Sequence, residues 1–403
     1  MMKAANVFWI SIDSLRKDFL HIYNPESNRR TYLDDLAQQG CIFDNAFPGG
    51  NWTMPSHASM LAGLDTTSHM IWSWSHRFAE NTPTAFDFFR RAGYISGCFA
   101  IPQLRDLFSG LPIDNTGGAE DPGLLKCLDS PKPFFVFWHT YNVHYPYGIV
   151  LPKDYDDAEA DYDHPSRTLN YLRNLIVTGR TQIILDSYRR EIQRAGHFVQ
   201  GIANKLKKLG KFEQTYFIVT ADHGEAWAPH TTFHCNFNEE VLRVPLFISG
   251  PGISQTRVTS PVSQVSLLPT ILDLCQISTD DPTQVFDGDS LVTTMSDDPD
   301  DGAPVIVAGP HGLRSRHRYL AIRNRRWMLI AAINHWGESF HEIGADGPSE
   351  NLLDRPFIEE GRKTLEEFRA IAERHTERFL SKRDNVVELS KGTEKKLRAL
   401  GYV

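Results

Sequence analysis

Thr53 stands two residues before Pro55 in the stretch at residues 51–64, NWTMPSHASMLAGL. A proline suits the first helical turn, where its missing N–H is no loss, and the free N–H groups of that turn attract an anion. A hydroxyl in that place is set to attack a phosphorus or sulfur centre, unless the stretch is only a Thr-capped helix. Asp13 ends the apolar run at residues 7–12, and Asp222 and His223 follow the run at residues 216–220. A lone Asp at such an edge is also common in solvated loops. Carboxylate oxygen with imidazole nitrogen suits zinc or manganese better than calcium or magnesium. An ion on Asp13, Asp222 and His223 would hold the Thr53 oxygen, lower its pKa and neutralise the attacked anion. His139 and His144 flank the end of another run among Tyr141, Tyr145 and Tyr147, and His230 and His234 lie in the loop after His223.

The elements that must carry these residues are legible as short apolar runs. Residues 7–12 (VFWISI), 133–138 (PFFVFW), 216–220 (YFIVT) and 244–249 (VPLFIS) read as buried parallel strands, whose carboxyl ends are where open sheets bind ligands. The sequence predicts a helix over 82–92, with Thr82 as cap, Pro83 first and Gly93 past the end, then a strand over 94–100. Apolar steps of three and four predict one long helix over 184–209, ended by Gly210. A helix over 266–274 and a strand over 303–309 complete an α/β fold with a mixed, mostly parallel central sheet flanked by helices. Residues 101–132 read as loops, and 147–178, with the acidic DYDDAEADYDH, as a lid or insertion. Short strands at 319–324, 326–331 and 339–343 predict a smaller antiparallel sheet, followed by a helix over 357–383. The expected division is 1–310, catalytic and metal-binding, and 311–403, a smaller α+β subdomain.

The chain has 403 residues and a net charge of −8, which argues against a nucleic-acid footprint and leaves an anionic substrate to metal or histidine. Its five cysteines are scattered without a CxxC pair, as in a reducing compartment. No run approaches the roughly 18 apolar residues of a membrane helix, and the first strand leaves no room for a signal peptide. A cytoplasmic enzyme without membrane insertion is expected, acting on a small-molecule ester, with a homo-oligomer left open.

Over nearly its whole length the sequence resembles the sulfatase branch of the alkaline phosphatase superfamily. The stretches that carry this are NVFWISIDSLRKDFL, FDNAFPGGNWTMPSHASMLAGL, FFVFWHTYNVHYPY, YFIVTADHGE, NEEVLRVPLFISGPGI, VSLLPTILDL, YLAIRNRRWMLI and the tail KKLRALGYV. The resemblance implies an α/β sandwich with a small C-terminal sheet, a divalent metal on Asp13, Asp222 and His223, and the nucleophile at Thr53. Sulfatases carry Cys or Ser in a C/S-x-P-x-R pattern and oxidise it to formylglycine. Here the pattern is TMPSH, so Thr53 cannot become that aldehyde and His57 replaces the arginine. Ser14 stands where a second acid is usual and His223 where Asn is often found, which moves the site towards zinc or manganese. The long helix lacks the acid often placed near Gly196.

Threonine followed by the Asp-His pair looks like the phosphorus-transferring relatives, among them phosphodiesterases, phosphonate or phosphate ester hydrolases and phosphoethanolamine transferases. His139, Thr140, His144 and Pro146 reproduce the HTxxxHxP pattern of the transferases, which implies that His144 and His234 hold a second ion or the substrate phosphate, with His57 and His139 in support. The expected activity is metal-dependent hydrolysis, or transfer, of phosphate mono- or diesters through a phospho-threonine. Sulfate ester hydrolysis without formylglycine and an inactive binding protein are the alternatives. Loops 65–80 (Trp72, Trp74, His76), 101–130 and 148–180 are expected to choose the substrate.

Overall fold

The structure is a computed structural model that describes residues 4–382, apart from 27–28, 153–165, 229–230, 280–284, 300–301, 313–314, 316, 345–346 and 354–357. The acidic loop, His230 and the tail motif lie outside the described residues. Strands β1 (Asn6–Ile12), β2 (Gly40–Phe47), β3 (Ile95–Phe99), β4 (Asn115–Gly117), β5 (Phe134–Thr140) and β6 (Thr215–Thr220) come first in the chain. The short hairpin of β7 (Ala226–Ala228) and β8 (Thr231–Phe233) precedes β9 (Val244–Ser249) and β10 (Thr256–Ser263). The central sheet has the order β10-β2-β9-β6-β1-β5-β3-β4, and β9 alone runs against its neighbours. Every residue of β1, β5 and β6 is buried, as near-continuous apolar runs require when helices cover both faces.

The helices are α1 (Tyr32–Ala37), α2 (Thr53–Ala62), α3 (Thr66–His69), α4 (Ala85–Arg91), α5 (Pro102–Leu107), α6 (Gly123–Asp129), α7 (Arg167–Val177) and α8 (Thr181–Lys208). Next come α9 (Glu239–Leu242), α10 (Leu267–Leu274), α11 (Val292–Ser296) and α12 (Glu359–Ser381). The long helix α8 passes α1 where a Cβ on Gly196 would stand 3.0 Å from the Thr31 Cβ. Close passage accounts for a small residue there.

A second, antiparallel sheet joins β11 (Val305–Gly309), β12 (Tyr319–Arg323), β13 (Trp327–Ala332), β14 (Glu338–Gly344) and β15 (Gly347–Pro348). α12 packs on it through Leu365, Phe368 and Ala372. The run at 303–309 thus pairs with β12 and not with the central sheet.

Two expectations need correction. Thr84, not Thr82, caps α4, because Asp87 at the third helical position closes a capping box on it, an exchange of bonds usually worth about 1 kcal/mol. Residues 101–132 are not all loop: they hold α5, β4 and α6, elements too short to show a period.

Candidate active site

Three neighbouring strands gather the acids and imidazoles. Asp13 follows β1, Asp222 follows β6, and His139 lies near the end of β5 opposite Ser11. All three side chains are fully buried. Asp13 Oδ2 accepts from His139 Nε2 at 3.2 Å, and its Oδ1 accepts the Ser14 hydroxyl at 2.9 Å. Asp222 Oδ1 accepts the backbone N–H groups of Ser14 at 3.1 Å and His223 at 3.0 Å. Ser14 makes that bond from a left-handed conformation, φ 58°, the kind of backbone cost that clusters at functional sites. The other Asp222 oxygen, Oδ2, has no hydrogen-bond partner. It lies 3.5 Å from His223 Nε2 and 3.7 Å from His57 Nδ1.

His223 donates Nδ1–H to the Gly224 carbonyl at 2.8 Å. That bond fixes the tautomer and leaves Nε2 bare, as a metal ligand needs. Nε2 stands 3.8 Å from Asp13 Oδ1 and 3.4 Å from Thr53 Oγ1. Glycine is required next in the chain, since a Cβ on Gly224 would meet the Glu240 carbonyl oxygen at 1.8 Å.

Thr53 is the first residue of α2 and only 1% exposed, with Trp52 before it in extended conformation. Trp52 packs edge-on against Trp74 at 5.5 Å, and Trp72, Trp74 and His76 are all buried. Trp74 thus holds the loop at 65–80 against the start of α2, while Trp72 packs edge-on against Phe379 of α12 and His76 bonds back to Met70 in its own loop, so their role is packing. The helix start is tied down twice more. Ser56 Oγ reaches the carbonyls of Gly50 and Asp222. His57, one turn on, sets Nδ1 at 2.8 Å from the Thr53 carbonyl and Nε2 at 2.9 Å from Ser11 Oγ.

His144 and His234 form an aromatic wall beside His223. The His234 ring lies 4.5 Å from that of His223 and 5.2 Å from that of His144. Both nitrogens of His144 are engaged, Nδ1 with the Tyr145 carbonyl at 2.8 Å and Nε2 with the Tyr141 hydroxyl at 3.1 Å. Phe233 and Cys235, on either side of His234, both have positive φ.

Sequence reasoning missed Glu225. Its buried carboxyl pairs with His234 Nδ1 at 3.3 Å and accepts the Tyr147 hydroxyl at 2.9 Å, which in turn accepts Trp227 Nε1 at 3.0 Å. The signal was the second acid of the ADHGE stretch.

Among the described residues, Asp13, Asp222 and His223 bring ligand atoms within 4.8 Å of one another, and so do His57, His139 and Asp222. Buried carboxylates held by a few neutral donors and imidazoles, with no cationic side chain bonded to them, carry a charge whose desolvation the protein offsets only in part. Ligand bonds of about 2.0–2.2 Å span the observed separations around one ion. The bare His223 nitrogen and the unpartnered Asp222 oxygen therefore fit a divalent cation.

The metal-free protein should be most stable near neutral pH. Burial pushes His57 and His69 down to about 3, and His139, His234 and His375 down to about 4. It pushes Asp13 up to about 6, Asp65 to about 7 and Glu225 to about 8. The imidazoles contribute stability that is complete above their unfolded value near 6.5 and is lost as pH falls, because the unfolded chain takes the protons. The carboxyl groups contribute below about pH 4 and lose that contribution as pH rises through 6 to 8. Since the imidazoles outnumber the carboxyl groups, the Tm of chelated protein should fall from pH 6.5 towards pH 5, and fall again from pH 7 to pH 9. A Tm that rises steadily as pH is lowered would contradict the buried, neutral imidazoles.

A model of the sulfatase family matches residues 5–101 and 123–277. The chain belongs to the sulfatase family. This sulfatase-family chain is 23% identical to a Delta 4,5-hexuronate-2-O-sulfatase of Bacteroides thetaiotaomicron, over 91% of its own length and 87% of the relative's. Its fold matches that of a 2-O GAG sulfatase with a TM-score of 0.72 and 20% identity, covering 96% of this chain and 95% of the other. A phosphonate monoester hydrolase from Silicibacter pomeroyi matches with a TM-score of 0.70 and 18% identity, covering 93% and 95%. The family read from the motifs is the family matched, and with it comes a hydrolase of sulfate or phosphate esters. Among the described residues no helix is long and apolar enough to cross a membrane.

Proposed function

We propose that this chain hydrolyses phosphorus esters with Thr53 as the nucleophile and a divalent ion, zinc or manganese, held by Asp13, Asp222 and His223. The observation that carries the reading is the Thr53 hydroxyl at the head of α2, 3.4 Å from the bare nitrogen of His223. When bound, the ion supplies Lewis-acid polarisation of the ester oxygens and lowers the pKa of the nucleophile. Thr53 Oγ gives up its proton to solvent and attacks phosphorus in line, the bond from phosphorus to the leaving oxygen breaks, and that oxygen takes a proton from water on the side of His144 and His234. Water then attacks the phospho-threonine, releasing phosphate and restoring the Thr53 hydroxyl. The free N–H groups at the start of α2 favour the developing negative charge.

Sulfate ester hydrolysis is the second reading, and the family match together with the relatives' names favours it. Against it stands one atom. A sulfated threonine bears a single oxygen on its β-carbon, so sulfate cannot leave by collapse to an aldehyde and must be displaced by water. Side-by-side kcat/KM values on an aryl phosphate, an aryl phosphonate monoester, a phosphodiester and an aryl sulfate decide between the two. The phosphorus esters should exceed the sulfate by at least about 100-fold, a transition-state difference of about 2.7 kcal/mol. An aryl sulfate turned over fastest would overturn the phosphorus reading and leave the sulfatase one.

A further inference from the structure

We propose that Tyr188 of α8 is a positioning residue for the metal ligands and acts on them through Ser14; the inference rests on the metal-dependent reading above. The Tyr188 side chain is fully buried. Its hydroxyl accepts the Arg16 N–H at 2.7 Å and donates to the Ser14 carbonyl at 2.7 Å. One phenol thus ties down the backbone on both sides of Leu15, in the turn that follows β1 and Asp13.

Ser14 is where the two carboxylates meet. Its N–H donates to Asp222 Oδ1 at 3.1 Å, and its hydroxyl donates to Asp13 Oδ1 at 2.9 Å. It makes both bonds from a left-handed backbone, φ 58°, which a serine keeps only where its surroundings over-determine it. Two neighbouring bonds help, from the Asp13 N–H to the Thr140 carbonyl at 3.0 Å and from the Leu15 N–H to the Ile12 carbonyl at 3.3 Å. Neither engages the Ser14 carbonyl, which Tyr188 does. Ser14 is fully buried, and a buried carbonyl without its donor is costly. A turn that rotates to find another donor takes the Ser14 N–H off Asp222 and its hydroxyl off Asp13.

The Tyr188 ring is itself fixed, edge-on to Phe19 at 5.0 Å, Trp227 at 4.8 Å and Tyr147 at 5.7 Å. The residue before it holds the other bank of the site. Ser187 Oγ donates to the Tyr147 carbonyl at 2.7 Å, and the Tyr147 hydroxyl donates to Glu225 at 2.9 Å. Adjacent residues of one long helix therefore set the ligand turn after β1 against the loop after β5 that carries His144.

The test is a zinc titration made by calorimetry without substrate. Tyr188→Phe keeps the ring and deletes only the hydroxyl; its zinc affinity should fall about 10–100-fold, the usual loss for an outer-shell partner of a metal ligand. On an aryl phosphate its kcat should recover at saturating zinc, since the ligands themselves are intact. Tyr23→Phe is the matched control, because that hydroxyl also bridges backbone, accepting the Leu246 N–H at 3.1 Å and donating to the Leu246 carbonyl at 2.8 Å. It should lower Tm and leave zinc affinity unchanged. Ser14→Ala should weaken zinc as well, and the double variant with Tyr188→Phe should lose less than the product of the single losses, because both act on one path. Zinc held by folded Tyr188→Phe as tightly as by wild type, or weakened equally by Tyr23→Phe, would overturn the assignment. Where Tyr188→Phe does not fold, undiminished affinity in Ser14→Ala overturns it. These results leave the proposed function standing, whereas a wild type that binds no divalent ion would sink the metal-dependent reading and this inference with it.

Discussion

Thr53→Ala is expected to lower ester turnover by about 10⁵-fold or more, the scale of losing a covalent nucleophile, while the fold and the bound metal remain. The argument is local. Thr53 is buried at the first position of α2, and its hydroxyl lies 3.4 Å from His223 Nε2 and beside the Asp13 carboxylate. Alanine is a good helix former, so the helix start should persist. Its anchors lie elsewhere, in Ser56, in His57 and in Trp52 against Trp74. Asp13 and His223 lose only their contact with the hydroxyl and keep their other partners, as does Asp222, so metal content should be unchanged. Thr53→Ser restores a hydroxyl and should restore measurable turnover, which separates the loss of an oxygen from the loss of packing. Single-turnover measurement on an aryl phosphate, with metal analysis of each variant, reads both effects. More than about 1% of wild-type kcat in Thr53→Ala would mean that the attack comes from another group or from water.

The fold was legible where burial leaves no choice. VFWISI, FFVFW, YFIVT and VPLFIS became β1, β5, β6 and β9 because a strand covered on both faces leaves little place for polar residues away from its ends. β2 and β10 were not read as strands. β10 (TRVTSPVS) is an edge strand with Pro261 at a register shift, and such strands lack the continuous apolar signal. β2 carries Asp44 and Asn45 where its own pairing shifts. Within the site, Asp13, Asp222, His223 and Thr53 were legible because each sits at the end of a strong element. The roles of His57, His139 and Glu225 were not, because each depends on a neighbour far away in sequence. His57 meets Ser11 and Asp222, His139 meets Asp13, and Glu225 meets Tyr147. Periodicity reports which face of an element is buried, but not which imidazole a carboxylate will meet across the sheet.

Asp222→Asn should strip the metal and, with it, turnover, yet make the metal-free protein more stable. The two effects come from different oxygens. Oδ1 accepts the N–H groups of Ser14 and His223, and an asparagine carbonyl keeps both bonds in the same shape. Oδ2, which faces His223 and His57 without a hydrogen-bond partner, becomes an uncharged NH₂. That group donates where a cation would sit, and the bare His223 Nε2 can accept from it. Metal affinity should therefore fall by more than the roughly 10–100-fold of losing an outer-shell partner. Turnover at a fixed, modest metal concentration should fall at least in proportion. Wild-type protein at about 100 times Kd gains about 2.7 kcal/mol from binding, so added metal should raise its Tm clearly, whereas the variant should show little rise. In chelator the order reverses, because the variant no longer buries an anion whose second oxygen has only imidazoles beside it. Melting with and without metal, beside titration calorimetry, measures every part of this. A variant that binds metal as tightly as wild type would show that Asp222 is not a ligand, and one less stable in chelator would show that its charge is already compensated within the protein.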